Sequence, residues 1–128
     1  MSLSSKLFQI AKTPLGDMIV GLIFSHFSNI LPVNRVKDTA HCLAFWHPKP
    51  FWEKHIVIVP KKAIKSLSDL KTGDEFYLKE VMLTASTIVT ELNWNDLPDG
   101  YSLTLNGGSR QEINQIHFHL HSGPHLTS

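Results

Sequence analysis

The chain has 128 residues, the size of one domain, and its 12 basic and 11 acidic side chains leave a formal net charge of +1. This balance disfavours a protein that binds DNA, RNA or an anionic membrane through a basic surface. A content of 42% hydrophobic and 18% charged residues predicts a folded core. The single cysteine, Cys42, allows no intrachain disulfide and favours a cytoplasmic protein. The unusual feature of the composition is its eight histidines.

The N-terminal part of the sequence predicts one helix and no export signal. Residues 1–11 lack the charged start, apolar centre and small-residue cleavage site of a signal peptide. Residues 18–31 form the most apolar stretch, but it is shorter than the roughly 20 residues that cross a bilayer, and it contains polar side chains. We therefore expect a buried helix that ends before Pro32 and no membrane span.

Three strands are predicted before the long helix. Residues 34–37 and 41–46 have the composition of two strands that flank a turn. Two prolines predict a loop over residues 47–54, because proline cannot donate to a sheet ladder. Residues 55–59 give the strongest strand signal, since an unbroken run of isoleucine and valine follows His55.

The second half of the chain predicts one long helix and two further strands. Thr72 and Glu75 have the spacing of a capping box, and a helix is expected over residues 73–92. Strands are expected over residues 101–105 and 115–121. The apolar positions of the helix recur at steps of three and four: Leu78, Val81, Met82, Ala85, Ile88, Val89 and Leu92.

This order of elements predicts an α+β fold in one domain that spans the whole chain. We expect a largely antiparallel sheet, with the long helix and the shorter N-terminal helix packed on it.

Residues 116–121 alternate a hydrophobic residue with histidine through three cycles. Because successive side chains of a strand point to opposite faces, Phe118 and Leu120 are expected to enter the core. His117, His119 and His121 then share the other face at intervals of about 6.6 Å. The alternation therefore predicts three imidazoles on one surface.

Three interpretations of this row are open at the level of the residues. The first is a polar strand face that happens to use histidine. The second is a zinc site, because His-x-His on a strand can hold zinc with a third ligand from His41, His55 or His125; the nearest acidic residue is Glu112. The third is covalent catalysis at phosphorus, since a neutral imidazole is nucleophilic near pH 7 and its neighbours can donate protons.

Residues 117–123 resemble the signature of the histidine triad (HIT) superfamily, in which three histidines alternate with hydrophobic residues. Residues 42–45 and 55–62 resemble a second block of that family, seen in its Hint-like and Fhit-like branches. Residues 106–109, Asn-Gly-Gly-Ser, stand where the family places Asn-x-Gly-Ser, eleven residues before the first triad histidine. The resemblance covers roughly residues 20–123, and it implies a HIT-like fold.

The resemblance implies a role for each polar residue of the motif. His119 would be the nucleophile that forms a nucleotidyl-histidine intermediate, and His117 would hold its orientation. His121 would contact a phosphoryl oxygen near the leaving group. His55 would join the same hydrogen-bond network, and Asn106 would face the phosphate.

The resemblance also implies the substrate and the assembly. Ile23, Phe24 and Phe45 would form an apolar slot for a purine base, although large apolar residues are core residues by default. The substrate class would be a nucleoside phosphoramidate or a dinucleoside polyphosphate. The protein would act as a homodimer without a metal or other cofactor, and neither a nucleic acid polymer nor a membrane would be its partner.

The sequence departs from the Hint-like and Fhit-like branches near the expected sugar and phosphate. His47 stands where those branches place an acidic residue that holds the ribose hydroxyls, and a neutral imidazole cannot offer the two oxygens of a carboxylate. Ile113 and Asn114 stand where glutamine and a small polar residue are usual; Asn114 can still donate to phosphate. These departures motivate two alternatives: a non-catalytic nucleotide- or phosphate-binding module, and a zinc-dependent protein.

Overall fold

The computed structural model describes residues 33–126. In this part of the chain, a five-stranded antiparallel sheet carries one long helix on one face, which confirms the predicted α+β arrangement. The strands lie side by side in the order β1-β2-β3-β5-β4. The elements are β1 (Arg35–Asp38), β2 (Cys42–Trp46), β3 (Trp52–Pro60), α1 (Glu75–Glu91), β4 (Ser102–Leu105) and β5 (Phe118–His125).

The core between the sheet and α1 follows from the alternation along the strands. Ala44, Ile58 and Phe118 lie opposite one another in β2, β3 and β5, and the next row on this face contains Ile56 and Leu120. All five belong to the buried cluster that also contains the inner side of α1. Burial of apolar side chains in such a core is the dominant favourable contribution to folding.

Helix α1 is two residues shorter at its start than predicted, and the capping box is not formed. The helix begins at Glu75 behind Asp74. The Glu75 carboxylate accepts a hydrogen bond from the backbone N–H of Gly73 at 2.7 Å, and Asp74 accepts one from that of Lys71 at 2.9 Å. Both bonds therefore lie in the turn before the helix, and the residue at the N-cap position is Asp74 rather than Thr72. Of the predicted apolar positions, Val81, Ala85, Ile88 and Val89 are buried, whereas Met82 and Leu92 are exposed.

The prediction of a loop over residues 47–54 is wrong at its end, because β3 already begins at Trp52. The reason is that β5 continues to His125, beyond the predicted end at residue 121, and Trp52 pairs with His125. The predicted start of β5 is also displaced, from residue 115 to Phe118. Ile116 and the Gln115 side chain instead bond to the backbone of residues 60–64, which removes them from the ladder.

The predicted helix over residues 18–31, including Ile23 and Phe24, lies outside the described residues. Within residues 33–126, no helix has the length and apolar character needed to cross a membrane.

Candidate active site

The histidines of β3 and β5 meet on the sheet face opposite α1. His55 pairs with His121 across the two strands, and Val57 pairs with His119, so His55 and His119 are diagonal neighbours. His119 is 1% exposed and His55 is 2% exposed. His117, which directly precedes β5, is also buried, whereas His121 is half-buried. These histidines share one face of the sheet, as predicted, and together they form a buried cluster of imidazoles.

A chain of hydrogen bonds runs through this cluster. The backbone N–H of Phe51 donates to Nδ1 of His55 at 3.0 Å. Nε2 of His55 lies 2.7 Å from Nδ1 of His119. On the other side, Nδ1 of His117 donates to the backbone carbonyl of Gln115 at 2.7 Å, because a carbonyl can only accept. These contacts fix the orientation of three rings.

His121 occupies the outer end of the row. Its Nε2 lies 3.1 Å from the hydroxyl of Thr104 in β4. The indole of Trp52 stacks on its ring at a centroid distance of 3.7 Å and an interplanar angle of 16°. Both rings line a cleft of about 500 Å³ together with Tyr101 and Ser122. His121 is thus the triad histidine that reaches this cleft.

Burial keeps these imidazoles neutral. It lowers the pKa of His55 to about 2 and that of His119 to about 3, and neighbouring histidines add to both shifts. Burial, with a smaller effect of His117, lowers the pKa of His47 to about 4. It also lowers the pKa values of His117 and His121. Each ring therefore has one N–H and one lone pair at pH 7.

Nε2 of His119 stands apart in this network. It is buried, and no hydrogen-bond partner lies near it within the described part of the chain. A buried polar atom without a partner costs free energy, and it is typical of a position that a ligand completes. This nitrogen belongs to the residue that the resemblance assigns as the nucleophile, and none of the described residues bonds to it.

His47 lies beside the cluster and faces the ring of His55. The two rings stack with centroids 4.5 Å apart and an interplanar angle of 25°. Nδ1 of His47 accepts a hydrogen bond from the backbone N–H of Lys49 at 3.0 Å. Phe51 packs against both rings, at 5.0 Å from His47 and 5.3 Å from His55. The residue at the expected sugar position is thus part of the packed wall of the site.

The structure gives the metal alternative a different third ligand. Glu112, His117 and His119 each offer a ligand atom, and these atoms lie within 4.8 Å of one another. The sequence suggested His41, His55 or His125 as the completing residue. His41 instead packs on Phe76 at the start of α1, with ring centroids 4.6 Å apart. Among the described residues, this trio is the group that could hold a metal ion.

Of the remaining predicted site residues, Phe45 lies on the same sheet face as the cluster. Phe45 is fully buried and pairs with Val57, so it shares the face and the cross-strand row of His119. Asn106 is half-buried directly after β4, and Asn114 is exposed. Ile23 and Phe24 fall outside the described residues.

Sequence reasoning assigned no role to two groups that hold the site together. One is the backbone N–H of Phe51, which carries no sequence signal. The other is Gln115, whose fully buried amide donates to the carbonyl of Lys62 at 2.8 Å and accepts from the N–H of Ile64 at 3.3 Å. An amide side chain two residues before the first triad histidine, next to the apolar Ile116, is a signal that could have identified Gln115.

Comparison with known proteins gives concordant matches. A family model described as the HIT domain matches residues 30–125. An uncharacterized HIT-like protein of Synechocystis is 31% identical over 91 residues, which is 71% of this chain and 75% of that protein. A histidine triad protein from Clostridium difficile has a TM-score of 0.71 at 26% identity, covering 86% of this chain and 93% of that one. A HIT family hydrolase from Legionella pneumophila also has a TM-score of 0.71, at 28% identity over 83% and 95% of the two chains.

Proposed function

Because the chain belongs to the HIT domain family, we propose that it is a nucleotide hydrolase or transferase that acts through a nucleotidyl-histidine intermediate. The observation that carries this proposal is Nε2 of His119, a buried nitrogen of a neutral imidazole to which no residue of the described range 33–126 bonds. The substrate class is a nucleoside phosphoramidate or a dinucleoside polyphosphate with a purine base. The similar hydrolase of Legionella pneumophila supports the reaction type.

The proposed reaction has two displacements at the α-phosphorus. Nε2 of His119 attacks with its lone pair, a P–N bond forms, and the bond from phosphorus to the leaving group breaks. The leaving group takes a proton, and the proposal assigns His121 as its donor; the position of His121 at the cleft supports this role. Water then attacks the same phosphorus, which breaks the P–N bond, releases the nucleoside monophosphate and restores His119.

Replacement of the nucleophile tests this proposal. The His119→Ala variant is expected to lose about 10³-fold or more of the turnover of adenosine 5′-phosphoramidate, as the loss of a covalent nucleophile does. The matched control is His125→Ala, because His125 is exposed at the end of β5. Quenching with denaturant at alkaline pH, where a P–N bond to histidine survives, with substrate labelled at the α-phosphate should trap label on the wild type and on the control but not on His119→Ala. Equal turnover by all three proteins would refute the proposal.

We also propose a homodimer located in the cytoplasm, with a purine nucleotide as its small-molecule partner and without a nucleic acid polymer or a membrane as a partner. Light scattering of the purified full chain tests the assembly, and a monomer at all concentrations would refute it.

A second candidate function is nucleotide or phosphate binding without turnover. It is favoured by His47, because an imidazole offers no carboxylate to ribose hydroxyls. The ring of His47 instead packs on that of His55. Titration calorimetry with adenosine monophosphate, alongside turnover assays on both substrate classes, separates the two functions. Binding without turnover favours the module, whereas turnover that depends on His119 excludes it.

A further inference from the structure

We propose that the backbone N–H of Phe51 sets which nitrogen of His119 carries the proton, so that the resting site holds this histidine in the tautomer that cannot attack phosphorus. The inference rests on the proposed function for its catalytic meaning, but its structural part concerns the free protein. Phe51 is thus a positioning residue, which acts on His119 through His55.

The first step of the argument concerns His55. A backbone N–H can only donate, and that of Phe51 points at Nδ1 of His55 from 3.0 Å. Nδ1 of His55 must therefore be the acceptor and carry the lone pair. Because burial lowers the pKa of His55 to about 2, the ring is neutral at pH 7 and has one proton. That proton is on Nε2.

The second step transfers this constraint to His119. Nε2–H of His55 donates to Nδ1 of His119 across 2.7 Å, so Nδ1 of His119 carries a lone pair. The pKa of His119 is lowered to about 3, and the neutral ring has its one proton on Nε2. The neighbouring His117 is held in the opposite tautomer, because its Nδ1–H donates to the carbonyl of Gln115. At Nε2, His119 therefore carries an N–H, whereas His117 carries a lone pair.

The third step is the chemical consequence. Nε2–H of His119 can donate a hydrogen bond to a phosphoryl oxygen, but it has no lone pair with which to form a P–N bond. In the reactive state the proton is on Nδ1 of His119, which donates a hydrogen bond to Nε2 of His55. A neutral His55 then has its proton on Nδ1, so two N–H groups, that of Phe51 and that of Nδ1, would point at each other. The reactive state therefore requires the Phe51 N–H to leave His55.

The protons balance in this exchange. Nε2 of His119 releases one proton to solvent or substrate, one proton passes from Nε2 of His55 to Nδ1 of His119, and Nδ1 of His55 gains one from solvent. Neither ring changes its charge. The carbonyl of Phe51, in the next peptide unit, accepts from the N–H of Leu126 at 2.7 Å, so Phe51 is also tied to the residue after β5.

Nuclear magnetic resonance of the full chain tests the resting tautomers directly. In ¹⁵N-histidine-labelled wild type without ligand at about pH 7.5, long-range ¹H–¹⁵N correlations are expected to show His119 and His55 protonated on Nε2. His117 is expected to be protonated on Nδ1. Protonation of His119 on Nδ1 in the free protein would overturn the inference.

Two variants of Phe51 separate its N–H from its ring. Phe51→Pro removes the N–H, and we expect it to shift His119 towards the Nδ1–H tautomer. Phe51→Ala keeps the N–H, removes the aromatic ring and is expected to retain the wild-type tautomer. Adduct formation in a single turnover should be about fivefold to tenfold faster in Phe51→Pro than in Phe51→Ala, the effect of one net hydrogen bond. Identical tautomers in the two variants would contradict the proposal.

A second measurement covers the case in which Phe51→Pro does not fold. Uniformly ¹⁵N-labelled wild type should show scalar couplings through two hydrogen bonds, from the Phe51 amide to Nδ1 of His55 and from Nε2 of His55 to Nδ1 of His119. Absence of both couplings would overturn the proposal. Full turnover by His119→Ala would refute the proposed function, whereas the couplings in the wild type would still support the inference. An inactive His119→Ala, together with Nδ1–H on His119 in the free wild type, would support the proposed function and overturn the inference.

Discussion

Lowering the pH from about 7.5 to about 5 is expected to destabilise the fold through its buried imidazoles. Burial lowers the pKa of His47 to about 4, of His55 to about 2 and of His119 to about 3, against 6.5 for an exposed histidine. Below pH 6.5 the unfolded chain binds a proton at each of these positions while the folded protein does not. Stability is therefore fully present above pH 6.5 and falls as the pH falls, until the folded protein also becomes protonated.

The magnitude follows from the same values. At about pH 5 each histidine costs about 2 kcal/mol, so the three together remove at most about 6 kcal/mol of the free energy of unfolding. This is a large part of the roughly 5–15 kcal/mol that stabilises a small domain. The range above about pH 5 is chosen because most carboxylates titrate below it.

Urea unfolding at a series of pH values, followed by tryptophan fluorescence, measures this effect. The slope of the free energy of unfolding against pH should correspond to uptake of at least about three protons on unfolding, because burial also lowers the pKa values of His117 and His121. For the His47→Gln variant, the slope should correspond to about one proton fewer taken up on unfolding. The control His125→Gln should retain it, because His125 is exposed. A wild type whose free energy at about pH 5 lies within about 1 kcal/mol of its value at about pH 7.5 would refute the reasoning.

Two further predictions concern the described fold. Cys42 is fully buried, and burial raises the pKa of its thiol to about 12, so iodoacetamide should modify it only as fast as the chain unfolds; modification at the rate of a free thiol would contradict this. Gly123 has φ of +83°, and an added Cβ would lie 2.9 Å from Cβ of Glu53, so Gly123→Ala should lose about 1–2 kcal/mol in urea unfolding. Gly107→Ala is the control, because Gly107 has φ of −138° and open space around it; an equal loss would count against the argument.

The sequence predicted the faces of the sheet well, because alternation is a local property of an extended chain. Phe118 and Leu120 enter the core under α1, as the period of two predicts. His119 lies on the opposite face with His55, because it pairs with Val57, which is two residues after His55 in β3. These assignments require only that residues 118–121 form a strand.

The ends of the elements were predicted less well, because distant partners decide them. β5 extends to His125 since Trp52 is available to pair with it, and it begins late since Gln115 bonds to residues 60–64. The third member of the candidate metal-binding group is Glu112, which no local spacing indicated. The ends of β5 depend on contacts between segments far apart in the sequence, whereas Glu112 is only five residues before His117 and joins the group through the fold of the irregular segment between them.

The sequence by itself determined the family, the alternating histidines and the identity of His119 as the residue to test. Only the tertiary structure decided the protonation of that residue. His55 is 64 positions away in the chain, and its contact with His119 exists only because β3 and β5 pair in one register. Burial makes both rings neutral, and a backbone N–H with no side-chain identity sets the direction of their hydrogen bonds. Residue types follow from the sequence, but solvation and hydrogen-bond direction depend on what folding brings together.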